Sequence, residues 1–240
     1  MQPKFESVSP LSFLIEDPGL IALTSDGSID FTPLDFDTSL TKDQREYLQN
    51  KFGVDIPQVF WRKQIHGDNI LEARGGAWTV KGCPDADAYV TNEKNLPIAI
   101  RTADCVPVFI LDPLRRVIGL AHAGWKGTYK AIAAKTVQRM QEKYACQPSG
   151  LKIVLGPSIR ECCYQVGAEF RDYFPSHVKK REGYLYLDAI SANQDQLLQA
   201  GVRKENIFDS GICTCCNTDY FSFRRDGIKA GRMISIMMLK

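Results

Sequence analysis

Residues 97–144, PIAIRTADCVPVFILDPLRRVIGLAHAGWKGTYKAIAAKTVQRMQEKY, decide the fold. Three apolar, β-branched runs, near 97–101, 106–111 and 117–122, follow one another with only short polar or proline-bearing turns between them, which reads as consecutive strands. The period then changes. Ile132, Thr136, Val137, Met140 and Tyr144 recur on one helical face, predicting a helix from about Gly127 to Tyr144. Strands that meet without an intervening helix, followed by a mixture, argue for an α+β protein rather than a regular βαβ array.

The pattern continues outward in both directions. Upstream, 59–65 and 87–91 read as strands, as do SFLIE and LIALTS on either side of the turn-forming DPG. Thr41 and Gln44 have capping-box spacing before REYLQNKF, and Gly53 is a natural stop, so a short helix is expected there. Downstream, KIVLG, YLYLDA, IFDSG, YFSF and RMISIMML are expected strands, with helices near 167–174 and over ISANQDQLLQAG. No repeat or Pro/Gly-rich linker divides the chain, so residues 1–240 are read as one domain, within reach of a single core at this length. Neither GxGxxG nor GxxxxGK[ST] occurs, which removes the usual dinucleotide and P-loop readings.

Apolar residues make up 44% of the chain and the formal net charge is +2, with no dense basic cluster, so nucleic-acid binding gains no support. The N-terminal residues lack a signal-peptide pattern, and no window approaches the ~18 apolar residues of a membrane span. A soluble, cytoplasmic protein without a membrane partner is expected, its eight cysteines reduced. Cys162-Cys163 and the Cys213/Cys215/Cys216 cluster read as packed thiols. Cys213 and Cys216 have the spacing of half a structural zinc site, but adjacent Cys162-Cys163 make a poor second half.

The chemistry gathers at strand ends. His66 in WRKQIHGDN, Cys105 in RTADCVPVF and His122 in GLAHAGWKG each sit where a strand hands over to a turn. Two imidazoles and a thiol suit a borderline metal such as zinc, and three protein ligands leave a catalytic position open. Two other readings stand beside this one: a buried core thiol at Cys105, and a Cys105–His122 nucleophile–base pair needing no metal. Gly124, Lys126 and Gly127 before the helix offer either an anion site at a helix N-terminus or simply a tight turn. Asp104 is placed to accept a hydrogen bond from a ligating histidine. Gln64 falls on the same strand face as His66, toward a substrate. Arg224 and Arg225, beside Asp226, are either a surface ion-pair patch or a fork for an anionic group.

The stretches ADAYVTNEKNLPIAIRTADCVPVFILDP, IGLAHAGWKGTYKAI, LGPSIRECCYQVG and CTCCNTDYFSFRRDGIKAGRMISI, with QIHG at 64–67, resemble the YfiH-like laccase-domain family over roughly residues 58–240. Residues 1–57 are the most divergent part. The resemblance implies two packed mixed β-sheets flanked by helices, a YfiH-like architecture of the CNF-like cysteine-hydrolase type. It implies that His66, Cys105 and His122 bind the active-site metal, zinc with copper as the alternative, and that Arg225 in the RRD stretch contacts substrate. One departure stands out: Ser25 occupies the place where the family carries an N-terminal arginine. The implied activity is phosphorolysis of purine nucleosides (adenosine, inosine or methylthioadenosine) with phosphate as co-substrate, and adenosine deamination as a side capability. The alternatives are a Cys–His hydrolase editing cell-wall precursors, a weak copper-dependent phenol oxidase, and a non-catalytic metal-binding scaffold. A true laccase is excluded by supply, because its copper centres take roughly ten histidines and this chain has three.

Overall fold

The computed structural model describes residues 17–32, 39–75 and 84–240. The expected strand SFLIE lies outside them. In chain order the elements are β1 (Leu20–Thr24), α1 (Lys42–Phe52), β2 (Ile70–Glu72), β3 (Ala88–Thr91), β4 (Ile98–Thr102), β5 (Val106–Asp112) and β6 (Val117–Ala123). Then come α2 (Trp125–Tyr129), α3 (Ile132–Tyr144), β7 (Lys152–Leu155), β8 (Gln165–Val166), α4 (Phe170–Tyr173) and β9 (Val178–Arg181). The chain closes with β10 (Tyr184–Leu187), α5 (Ala189–Gln199), β11 (Ile207–Asp209), α6 (Phe223–Asp226) and β12 (Met233–Leu239).

Side-chain alternation explains the layering. Along β5, Val106, Val108 and Ile110 enter one core with α3 and α5, while Phe109 and Leu111 enter another with Ile98, Ile100 and Met237. That second core fills the space between a six-stranded mixed sheet, ordered β11-β7-β5-β6-β3-β2, and a three-stranded antiparallel sheet, ordered β1-β12-β4. The outer face of the small sheet (Ile21, Leu23, Ala99, Ile234 and Ile236) packs on Leu48 of α1. The result is helix, sheet, sheet, helix. β5 and β6, largely apolar on both faces in sequence, are buried along their whole length. A third sheet, β8-β10-β9, is an addition that residues 165–187 alone did not announce.

Three expectations are corrected. Residues 59–65 form no strand; the segment is held by bridges such as Phe60–Ile98, by the Arg62 amide donating to the Tyr89 hydroxyl, and by Gln64 hydrogen-bonding the Arg101 backbone in both directions. The helix over 127–144 is two helices, because Ala131 takes a left-handed φ of 58° between α2 and α3. YFSF is no strand: Ser222 caps the short α6, its hydroxyl accepting from the Arg225 amide, so the last of those residues opens a helix. The capping box of Thr41 and Gln44 and the left-handed Gly53 stop stand as read. Ser25 is fully buried and its hydroxyl accepts from the Ile234 amide, extending the β1–β12 pairing; it presents no polar group to a site.

Candidate metal centre and cleft

The ends of β5 and β6 lie side by side, with Pro107 paired to His122 in register, which brings Cys105 and His122 together. His66 arrives from the other side, in a turn where it adopts a left-handed φ of 57°. A non-glycine residue in that region needs surrounding structure to hold it. Asp87, just before β3, supplies the hold: its carboxylate accepts from the backbone amides of Ile65 (3.2 Å), His66 (3.0 Å) and Gly67 (2.7 Å). The same carboxylate lies 2.8 Å from His122 Nδ1. That contact leaves Nε2 as the free nitrogen of His122, aimed at the other two residues.

The ligand atoms of His66, Cys105 and His122 all lie within 4.8 Å of one another, and the two imidazole rings meet edge to face at 4.8 Å. His122 is buried, Cys105 half-buried and His66 exposed, so the group runs from the interior to the surface. Burial works against ionising Cys105, yet the imidazoles, His122 foremost, outweigh it and bring the thiol down to about 6. Burial likewise opposes a charge on His122, but Cys105 and Asp87 outweigh it and push the imidazole up to about 9. Two imidazoles and a thiolate without a carboxylate form a donor set that fits zinc, with copper next. Gly124 makes the space. A Cβ there would stand 2.9 Å from His66 Cδ2 and 3.0 Å from Cys105 Sγ.

The three residues line a cleft of about 560 Å³, within the usual range for small-molecule sites. Lys63, Arg101, Arg224 and Arg232 also line it, against a single carboxylate, Asp104. Trp61, Trp125, Tyr164 and Phe223 add aromatic surface. The Arg101 guanidinium sits 3.3 Å over the Trp61 ring, and burial lowers it only to about 10, so it stays charged at neutral pH. No acceptor among the described residues takes its N–H groups.

The expected site residues therefore divide. His66, Cys105, His122, Gln64 and Asp104 come together on the cleft. Asp104 makes no bond to a histidine; it accepts from Thr214 Oγ1 at 2.7 Å and the Arg224 amide at 2.6 Å, while Asp87 takes the histidine-orienting place. Gln64 spends its amide on the Arg101 backbone, so it acts on the cleft by setting Arg101. Lys126 is exposed, lies outside the cleft lining and stacks toward Trp125. Arg225 faces away too, gripping Asp226 and the carbonyls of Thr214 and Tyr220. Its neighbour Arg224 is the one that reaches the cleft.

The profile of the family described as multi-copper polyphenol oxidoreductase laccase matches residues 35–240. This chain belongs to that laccase-like, YfiH-type family. It is 33% identical over 221 residues to the purine nucleoside phosphorylase YlmD of Bacillus subtilis, covering 86% of this chain and 79% of the relative. It is 32% identical over 206 residues to the adenosine deaminase RL5 of an unknown prokaryotic organism, covering 79% of this chain and 78% of that protein. The crystal structure of YlmD from Geobacillus stearothermophilus superposes with a TM-score of 0.80 at 28% identity, covering 93% of both chains. The α+β, single-domain architecture expected from the sequence is thus the family's own. Among the described residues no helix is long and apolar enough to cross a membrane. A second group, Cys162, Cys163, Cys213 and Cys216, also brings its ligand atoms within 4.8 Å of one another.

Proposed function

We propose that this chain is a zinc-dependent enzyme of purine nucleosides, cleaving adenosine, inosine or methylthioadenosine with phosphate and able to deaminate adenosine. One observation carries the reading: the His66–Cys105–His122 group opens onto a cleft that is both aromatic and strongly cationic. Aromatic faces suit a purine, and guanidinium forks suit phosphate. The names of relatives such as YlmD and RL5 support the same reaction class.

Zinc held by His66, Cys105 and His122 would supply Lewis acidity toward a substrate oxygen or water. The protein's own part is positional. Arg101, fixed on Trp61 and by Gln64, offers unpaired donors to a phosphate, and Arg224 and Arg232 flank the same space. Holding phosphate beside the ribose turns a bimolecular attack into a local one. Asp87 keeps His122 Nδ1 engaged and His66 in its turn, so the ligand geometry is set before substrate arrives. Tyr164 and Phe223 line the same cleft with aromatic surface.

A second reading rests on the lowered Cys105 thiol beside His122 and Asp87, which is the order of a nucleophile, base and orienting acid. It would make the chain a Cys–His hydrolase. His66 argues against it, since a hydrolytic pair has no use for a third ligand held in a left-handed turn. The test is to incubate zinc-loaded protein with adenosine, with and without phosphate and with and without a chelator. The proposal expects free adenine and ribose 1-phosphate only when both phosphate and metal are present, with inosine as a second product. Neither base nor inosine from any of the nucleosides would contradict it, and turnover that survives the chelator would favour the thiol mechanism.

A further inference from the structure

We propose that Cys162, Cys163, Cys213 and Cys216 bind a second, structural zinc ion that pins one wall of the cleft. The pair Cys162-Cys163 lies about 50 positions before Cys213 and Cys216, yet their sulfurs converge: Cys162 to Cys213 at 3.5 Å, Cys162 to Cys216 at 3.6 Å and Cys163 to Cys216 at 3.2 Å. Four thiolates around zinc, with Zn–S of about 2.3 Å, stand about 3.8 Å apart along the tetrahedron's edges. A disulfide would need about 2.05 Å. The observed separations cluster near the first distance and far from the second. Expectation from sequence was for packed thiols, and Cys146 is one, wholly buried. The four in this group differ, for Cys162 and Cys216 are exposed. Apolar packing therefore does not account for their meeting.

The backbone is shaped for sulfur ligands as well. The amides of Cys215 and Cys216 hydrogen-bond to the Cys213 sulfur, joined by the amide of Arg160. Amides of the second and third residues after a cysteine, turned back on its sulfur, stabilise a thiolate in a CxxC turn. Cys215 lies in this turn but outside the four-sulfur group. Loading the site releases thiol protons to solvent and changes no oxidation state.

The place of the site gives it a role. Thr214, between the ligands, is fully buried; its hydroxyl donates to Asp104 and its amide to the Ser158 carbonyl. Asp104 immediately precedes Cys105 and takes a left-handed φ of 91°. On the other arm, Arg224 donates to the carbonyls of Cys163 (3.3 Å) and Gln165 (2.8 Å), and Arg225 to those of Thr214 and Cys215. A metal joining 162–163 to 213–216 thus clamps the two loops that present Tyr164 and Arg224 to the cleft and that hold Asp104 against the first metal centre. It is a staple across loops, not a second reaction site, because four protein ligands leave no open position.

Two measurements on the full chain, purified under reducing conditions and dialysed after zinc saturation, test this. Elemental analysis should find two zinc ions per chain in the natural protein. One should remain in the Cys213→Ser/Cys216→Ser variant and one in His66→Ala. Because the cysteine variant could fail for lack of folding, iodoacetamide mapping is run on the natural protein. Cys162, Cys163, Cys213 and Cys216 should alkylate at least about tenfold more slowly with zinc than after a chelator. Equal zinc in the natural protein and the double variant would overturn the proposal. So would chelator-independent alkylation of the four thiols, or iron and inorganic sulfide in place of zinc.

Discussion

Asp87 Oδ1 lies 2.8 Å from His122 Nδ1, and the same carboxylate accepts the backbone amides of three residues around His66. One buried side chain therefore sets both histidines of the candidate metal centre: the ring direction of one and the backbone of the other. Burial alone would raise the Asp87 carboxyl, but these bonds, His122 first, hold it below the usual range, so it is ionised throughout the working range.

Asp87→Asn tests that double role. An amide offers one acceptor oxygen and two donors, so it cannot receive both His122 and all three amides. Zinc affinity at this centre should fall roughly 10- to 100-fold, the usual cost of losing the group that orients a ligating histidine. Competition with a fluorescent zinc chelator reads it directly. Affinity within about twofold of the natural protein would remove Asp87 from the account.

Gly124→Ala should empty the same centre by a different cause. Gly124 has an ordinary φ of −70°, so an alanine there is not strained in its backbone. Its methyl would enter at 2.9 Å from His66 and 3.0 Å from Cys105, too close for either to keep its place. The substitution is expected to cost metal occupancy and activity with little change in Tm. Full occupancy on elemental analysis would show that the ligands do not converge at this point.

Proton release fixes the ionic state of the free site. Between about 6 and 9 the metal-free pair holds a Cys105 thiolate and a His122 imidazolium, so zinc must displace the imidazolium proton. Uptake at this centre near pH 7.5 should release about one proton per zinc, and affinity should rise about tenfold per pH unit across that window. Below about 6 the thiol also holds its proton and the slope steepens. Calorimetry in buffers of different ionisation enthalpy, on protein lacking Cys213 and Cys216, measures the number. No proton release at pH 7.5 would mean His122 is already neutral.

Arg101→Met keeps a long side chain against Trp61 while removing the charge. The KM for phosphate should rise about 10- to 100-fold, some 1.4–2.7 kcal/mol, with a smaller change in kcat. Phosphate dependence equal to that of the natural protein would place the anion elsewhere in the cleft, toward Arg224 or Arg232.

Much of this was legible because the deciding pattern is local. Residues 88–123 alternate or run apolar in lengths that only strands satisfy, and β3 to β6 fall within a residue or so of their expected ends. Cys105 and His122 stood out as ligand types at strand ends in a chain with three histidines, whereas the strand expected to end at His66 is absent and that residue sits in a turn. Asp87 was not, although a lone carboxylate opening the apolar AYVT is a signal in hindsight. Its partners come from a turn 20 residues earlier and a strand 35 residues later. Arg101 read as a break in an apolar run, and only the cleft shows which way it points. Lys126 was read into a turn ahead of a helix starting near Gly127; α2 instead begins at Trp125, and the lysine in its first turn faces solvent. The adjacent Cys162 and Cys163 looked unfit as metal ligands because their meeting with Cys213 and Cys216 depends on how two loops pack, which no periodicity encodes.

The central claim, that His66, Cys105 and His122 hold one metal as a unit, is tested most directly by counting zinc in Cys105→Ser. A serine hydroxyl keeps its proton near neutral pH and is a poor, hard substitute for thiolate. After exhaustive dialysis the variant should hold one zinc ion fewer per chain than the natural protein, and His66→Ala should lose the same one, with folding intact in both. Zinc content equal to the natural protein's in Cys105→Ser would contradict the metal centre itself.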